Sequence, residues 1–181
     1  AADWVGSEPG GVRARVLRHG IWRYTHQKSK GLDVAILAAR SRVNKPLRLS
    51  RQDGRRGAIR AMRRGLSFYY LPDMDFGARD AAFVPFFGVS AATITAPARL
   101  ARITHARVVP CVTRMTPDGY EARFYPAWAD FPDCDDDAPT TLARAARRRN
   151  AFIEERVLEM PEQYLWEPKR IKTRPPGDAK Y

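Results

Sequence analysis

The sequence predicts an α/β domain with a parallel sheet, and three observations carry that expectation. Residues 46–49 read as a short strand, an amphipathic helical segment follows, and residues 66–71 return as an apolar, aromatic strand. Strand, helix, strand in that order is the βαβ unit of a parallel sheet. Residues 108–112 form a continuous apolar run, as expected of a strand covered on both faces. A length of 181 residues suffices for a sizeable core, and 44% hydrophobic with 29% charged content describes a globular chain.

Taken in order, residues 1–20 carry turn signals at Gly6, Pro9, Gly10 and Gly11 and are expected to be loosely ordered. Residues 21–24 suit a short strand. Leu32, Ala35, Ile36, Ala39 and Val43 recur at helical spacing, which predicts a helix over 31–42. Asp33 near its start and Arg40 and Arg42 near its end suit the helix dipole. Ser50-Arg51-Gln52-Asp53 has the form of a capping box. The helix behind it turns Ile59 and Met62 inward and carries Arg55, Arg56, Arg60, Arg63 and Arg64 on its other face. Gly65 is its C-terminal stop. Residues 91–103 read as a helix that Pro97 either kinks or opens. Pro110 favours a strand end or edge in the apolar run around it. Thr116-Pro117-Asp118-Gly119 is a turn, and the alternation from Tyr120 to Tyr125 returns as the second strand of a hairpin. A long helix over 139–160 places Leu142, Ala145, Ala146, Phe152, Ile153 and Val157 inward, and Pro161 ends it.

The stretch 68–88 organises the rest. An aromatic strand meets Pro72, the carboxylates of Asp73 and Asp75 follow, Gly77 closes the loop, and a second apolar run contains Phe83, Phe86 and Phe87. A buried strand that delivers two carboxylates to a Gly-containing loop is a common way to build an active site in an α/β protein. The plainer alternative is a turn in which the Asp side chains bond nearby backbone. The three phenylalanines line an apolar groove or belong to the core.

Thirty-two Lys and Arg against 20 Asp and Glu leave a net charge of +12. Such a chain is drawn to something anionic: nucleic acid, an anionic membrane surface, a phosphorylated substrate or an acidic carrier protein. Arg170, Lys172 and Arg174, in a basic and Pro-rich tail, suit phosphates or packed acidic side chains. Five carboxylates between Asp130 and Asp137 read as a solvated loop. Cys111 and Cys134 make no disulfide framework, and no Cys/His spacing fits zinc, so no metal or cofactor is expected. The longest uncharged run, between Asp80 and Arg99, falls short of the roughly 20 residues of a membrane span and contains Pro85, Gly88 and Pro97.

YYLPDMDFGARDAAFVPFFGVSAAT, then ARLARITHARVVP, then PEQYLW and KRIKTRPPG, resemble the late acyltransferases of lipid A biosynthesis, the lauroyl and myristoyl transferase family. The likeness runs from about residue 21 to the end. It implies an αβα sandwich with a mixed, mostly parallel central sheet, like that of glycerol-3-phosphate acyltransferases. It implies transfer of a fatty acyl group from acyl carrier protein to a hydroxyl of the Kdo-lipid A precursor, an anionic glycolipid. It places the reaction at the cytoplasmic face of the bacterial inner membrane, and no metal is implied. Asp73 matches an acidic residue needed for activity. Arg42, in the pattern Arg40-x-Arg42-x-Asn44, matches its arginine partner. Phe86 and Phe87 become walls of an acyl or acceptor groove, and Asp75, Arg170, Lys172 and Arg174 become candidate acceptor contacts.

The family's catalytic pair is a His followed five residues later by Asp or Glu. Here the residue five after His19 is Tyr24, after His26 it is Gly31, and after His105 it is Pro110. Residues 21–181 are therefore expected to be the C-terminal part of a single acyltransferase domain, inactive without the segment that carries the pair. Trp166-Glu167-Pro168 also stands where the family usually has Trp-x-His, and Ile171 replaces a Phe. The rival reading is a basic nucleic-acid-binding module. Clustered arginines allow it, but the aromatics sit in apolar runs and no recognition motif is present, so nucleic acid is not the expected partner.

Overall fold

The computed structural model describes residues 20–23, 29–41, 47–49, 54–132, 138–166 and 169–178. The chain forms two compact units, one ending at Tyr70 and the other starting at Leu71.

In the first unit, β1 (Gly20–Arg23), α1 (Lys30–Ser41), β2 (Leu47–Leu49), α2 (Gly54–Arg63) and β3 (Ser67–Phe68) alternate along the chain. The strands lie in the order β2-β1-β3 and both pairings are parallel, with Ile21 opposite Leu47 and Phe68. Parallel neighbours need a crossover, and the two helices supply them. The expected strand–helix–strand run joins a parallel sheet, but β1 lies between β2 and β3, and β3 holds only two residues.

Gly57, Ala58 and Ala61 give α2 a face of small residues, and Ala58 and Ala61 are buried. Its opposite face is arginine. Gly65 ends it with φ +84°, a conformation only glycine adopts without strain. The Gly65 N–H donates to the Met62 carbonyl at 2.9 Å and the Leu66 N–H to the Ala61 carbonyl at 3.2 Å. That pair of bonds is the Schellman closure. The capping box at 50–53 lies outside the described residues.

The second unit holds β4 (Ala81–Phe86), β5 (Val89–Ile94), α3 (Ala96–Thr104), β6 (Cys111–Thr116), β7 (Gly119–Phe124) and α4 (Pro139–Glu159), with a 3-10 turn at Pro161–Gln163. β4 and β5 pair antiparallel from Ala81 opposite Ile94 to Phe86 opposite Val89. Phe87 and Gly88 join them with φ +48° and +77°, the two-residue turn whose twist matches that of the strands. β6 and β7 close around Pro117 and Asp118, the hairpin the alternation predicts.

Two expectations are corrected. Residues 91–94 belong to a strand, not to the start of a helix, and Pro97 sits in the first turn of α3. Ala91 and Ala92 favour helix locally, but they and Thr93 are almost completely buried in β5. The apolar run 108–112 is not one strand. Val108 makes a single bridge to Trp128, and β6 starts only at Cys111, because Pro110 has no N–H to give a ladder. The class is mixed α/β. Among the described residues the strands form one three-stranded parallel sheet and two antiparallel pairs, rather than the single central sheet of a sandwich.

Ala98, Ala101, Phe131, Leu142 and Ala145 make the main buried cluster of this unit, with Val108 and Trp128 against it. Trp128 also meets the Phe131 ring at 5.0 Å. Among the described residues, no helix is long and apolar enough to cross a membrane.

A Cβ at Gly65 would meet no atom within 4 Å. Gly65→Ala therefore isolates backbone strain, and it should lower stability by about 1 kcal/mol. Gly65→Asn should cost less, and urea unfolding of the two variants measures the order.

Candidate active site

The loop over residues 71–77 reverses the usual pattern of burial. Asp75 is buried and Asp73 half-buried, while Leu71, Met74 and Phe76 are 65%, 49% and 57% exposed. Carboxylates taken from water need hydrogen-bond partners, and the C-terminal segment brings most of them. Arg170 Nε donates to Asp73 Oδ1 at 2.9 Å in an ion pair. The Tyr164 phenol lies close to the same carboxylate. Asp75 Oδ2 accepts the Thr173 N–H at 2.8 Å, and its Oδ1 accepts the Thr173 hydroxyl at 2.9 Å and the Gly77 N–H at 2.8 Å. The last bond is the local Asx turn that the spacing Asp-x-Gly allows.

Arg170 is the centre of this arrangement. It is 6% exposed. Besides Asp73, its guanidinium donates to Asn150 Oδ1 at 2.9 Å, to the Ala92 carbonyl at 3.4 Å and to Thr93 Oγ1 at 3.5 Å. It lies over the ring of buried Phe86, 5.0 Å from the centroid, which adds a cation–π attraction. Asn150, fully buried on α4, spends its Nδ2 hydrogens on the Pro85 carbonyl and Thr93 Oγ1, each at 3.0 Å. Thr93 in turn donates to the Ala91 carbonyl at 3.1 Å. One connected set of polar groups thus joins β4, β5, α4, the 71–77 loop and the tail.

Burial, with Asp73 beside it, pushes the Tyr164 phenol well above its ordinary value. The phenol stays neutral beside the carboxylate. Its ring meets Trp166 edge-on at 4.8 Å.

The expected site residues therefore fall into different places. Asp73 keeps part of its carboxylate accessible, with 32% of its side chain exposed, and can accept a further hydrogen bond from a ligand hydroxyl. Asp75 and Arg170 are interior and bonded to protein. Phe86 is core. Phe87 stands 40% exposed at the hairpin tip, its N–H bonded to Glu154 at 2.9 Å. Lys172 is exposed, and Arg174 donates to the Ser90 carbonyl at 2.9 Å and pairs with Asp178 at 3.1 Å. Arg42, His19 and His26 lie outside the described residues. His105 caps α3 at φ +53° and is exposed.

Tyr164, Asn150, Thr93 and Thr173 complete the site and are not singled out by sequence reasoning. Asn150 had a signal. The stripe Leu142, Ala145, Ala146, Arg149, Asn150, Ile153 and Val157 keeps helical spacing, so an Arg-Asn pair sits in the middle of a buried face. Both are buried, and Arg149 donates to the Ile94 carbonyl at 2.8 Å. The other three carry no local signal, since they matter only through contacts distant in sequence.

A family described as bacterial lipid A biosynthesis acyltransferase matches residues 20–173. The lipid A biosynthesis lauroyltransferase of Escherichia coli (strain K12) is 39% identical over 164 residues, covering 87% of this chain and 50% of that protein. The lipid A biosynthesis myristoyltransferase of the same organism is 38% identical over 133 residues, 71% of this chain and 39% of that protein. A lipid A biosynthesis acyltransferase of Haemophilus influenzae is 34% identical over 170 residues, 91% of this chain and 52% of that protein. The chain spans about half the length, or less, of these curated relatives. They leave the nucleic-acid-module reading without support.

Asn150→Ala strips partners from Arg170, Thr93 and Pro85 at once, and should cost about 2–4 kcal/mol in urea unfolding. Tyr164 sets an alkaline limit. Below the unfolded phenol value, near 10, both states keep the proton and its contribution is complete. Above it the unfolded chain loses the proton that the fold retains, so stability falls as pH rises. Tyr164→Phe should flatten that alkaline loss in melts taken at rising pH.

Proposed function

The chain belongs to the bacterial lipid A biosynthesis acyltransferases, and on that footing we propose that it is part of an enzyme that moves a fatty acyl group from acyl carrier protein to a hydroxyl of the Kdo-lipid A precursor. The observation that carries this reading is the family match over residues 20–173, with a half-buried carboxylate held by Arg170 at Asp73.

Acyl transfer to an alcohol needs a base to take the hydroxyl proton and donors or cations to hold the oxyanion. The hydroxyl oxygen attacks the thioester carbonyl, the carbon–sulfur bond breaks, and the proton passes by way of the base to the departing thiolate. None of the three histidines has a carboxylate five residues on, so the base is assigned to a segment outside these 181 residues. Asp73 orients the acceptor hydroxyl or the cation beside it, and Arg42 is proposed as a second residue that the transfer needs. Arg170, Tyr164 and Asp75 hold Asp73 and its loop in place. Lys172 stays available for an acceptor phosphate.

Phe87 supports a role in apolar binding. A bulky aromatic residue at φ +48° is locally disfavoured, where Asn or Gly would sit without strain. Its side chain is nonetheless exposed. Backbone strain of this kind tends to collect at ligand sites, and Phe87 serves as one wall for an acyl chain. Exposed Leu71, Met74 and Phe76 beside the carboxylates are proposed to face the acyl chains or the inner-membrane surface, the place where acceptor and enzyme meet.

Acyl transfer from acyl carrier protein to the Kdo-lipid A precursor, assayed with the protein from its complete reading frame, tests the reading. Asp73→Asn keeps an acceptor for Arg170 but removes the charge, and should lower turnover by about a hundredfold with little change in melting temperature. Wild-type turnover in that variant would remove Asp73 from the site. No transfer by the unaltered protein would overturn the activity. The 181 residues alone are expected to show no turnover.

A further inference from the structure

Helix α2 is ten residues long and has no acidic residue; none occurs from Gly54 to Pro72. Arg56 and Arg60 are exposed on its surface, and Arg64 continues the row in the turn that ends it. These three stand at i, i+4 and i+8, so their Cα atoms rise about 6 Å at each step along one side. Ala58 and Ala61, on the other side, are buried. Among the described residues no acidic partner is recorded for Arg56, Arg60 or Arg64. Like charges at i, i+4 repel, and Arg56 lies near the helix's positive end, so the row weakens α2 by itself. An anionic partner reverses the sign of both effects.

The shape of the row selects the partner. A basic helix that binds a bilayer inserts an apolar face beside its cations. The apolar side chains of α2 at Ile59 and Met62 are half-buried, not exposed, so α2 has little to insert. A row of guanidinium groups at this spacing matches carboxylates repeated every fourth residue on another helix, which rise by the same distance. Each guanidinium can hold a carboxylate through two parallel bonds.

We propose that Arg56, Arg60 and Arg64 form a docking rail for an acidic helix of a partner protein. That this partner delivers the acyl group rests on the reading above; the rail does not. The contact is electrostatic, so it governs the association rate and weakens with salt.

Binding of purified acyl carrier protein to the full chain, followed by interferometry at low and high salt, tests the proposal. Arg56→Gln/Arg60→Gln/Arg64→Gln keeps helix-forming residues and should weaken binding about tenfold or more, with the loss concentrated at low salt. Arg79→Gln/Arg107→Gln alters two exposed arginines of the other unit and should leave binding within about twofold. Equal loss in both sets would reduce the effect to net charge and overturn the rail. So would absent binding by the unaltered chain, or a triple variant that binds as well as wild type. Loss of binding to phosphatidylglycerol vesicles, with carrier binding unchanged, would assign the row to lipid and overturn it too. Circular dichroism of the triple variant checks that α2 survives. Carrier binding without acyl transfer would overturn the activity and leave the rail standing.

Discussion

A guanidinium buried under a hairpin is the constraint on which the second unit depends. Removing a cation from water is costly and is offset only when geometry satisfies it fully. Arg170 meets that demand with a carboxylate, an amide oxygen, a backbone carbonyl, a hydroxyl and an aromatic face. The partners come from four places in the chain. Asp73 lies on the loop, Asn150 on α4, Ala92 and Thr93 on β5, and Phe86 on β4. The tail returns across β5, where Arg170 bonds the Ala92 carbonyl and Arg174 the Ser90 carbonyl. Thr173 and Arg174 repeat the closure a few residues later, on Asp75 and Ser90.

That closure explains why the 71–77 loop wears its apolar side chains outside. Asp73 and Asp75 are drawn inward mostly by partners on the tail, and alternation along an extended segment then turns Met74 and Phe76 outward. Exposed Met74 and Phe76 beside a half-buried carboxylate fit the proposed acyl transfer. Arg170, Asn150 and Thr93, which position the carboxylate, are buried, so they can hold geometry without competing for ligand.

Much of the fold was legible because its signals are local. The first unit's strand–helix–strand order, Gly65 as a stop, the Pro117-Asp118 turn and the long helix closed by Pro161 all follow from spacing and turn chemistry. The β4–β5 hairpin was missed because its turn uses Phe87 where Asn or Gly is the usual signal, and because alanines in β5 favour helix when read alone. At the site, Asp73 and Asp75 stood out as a pair on a glycine-closed loop. Their partners did not, since Arg170 lies 97 residues from Asp73 and Thr173 lies 98 from Asp75. Sequence spacing identifies a carboxylate that needs a cation but not which cation a distant tail will bring.

The central claim is that Arg170 and Asp73 act on one another, and are not merely neighbours in a rigid fold. A double-mutant cycle with Asp73→Ala, Arg170→Met and the two combined, read by urea unfolding, measures that directly. The account predicts a coupling energy of about 2 kcal/mol or more, because each single change leaves the other group poorly paired inside the protein. Additive losses, with coupling near zero, would contradict it.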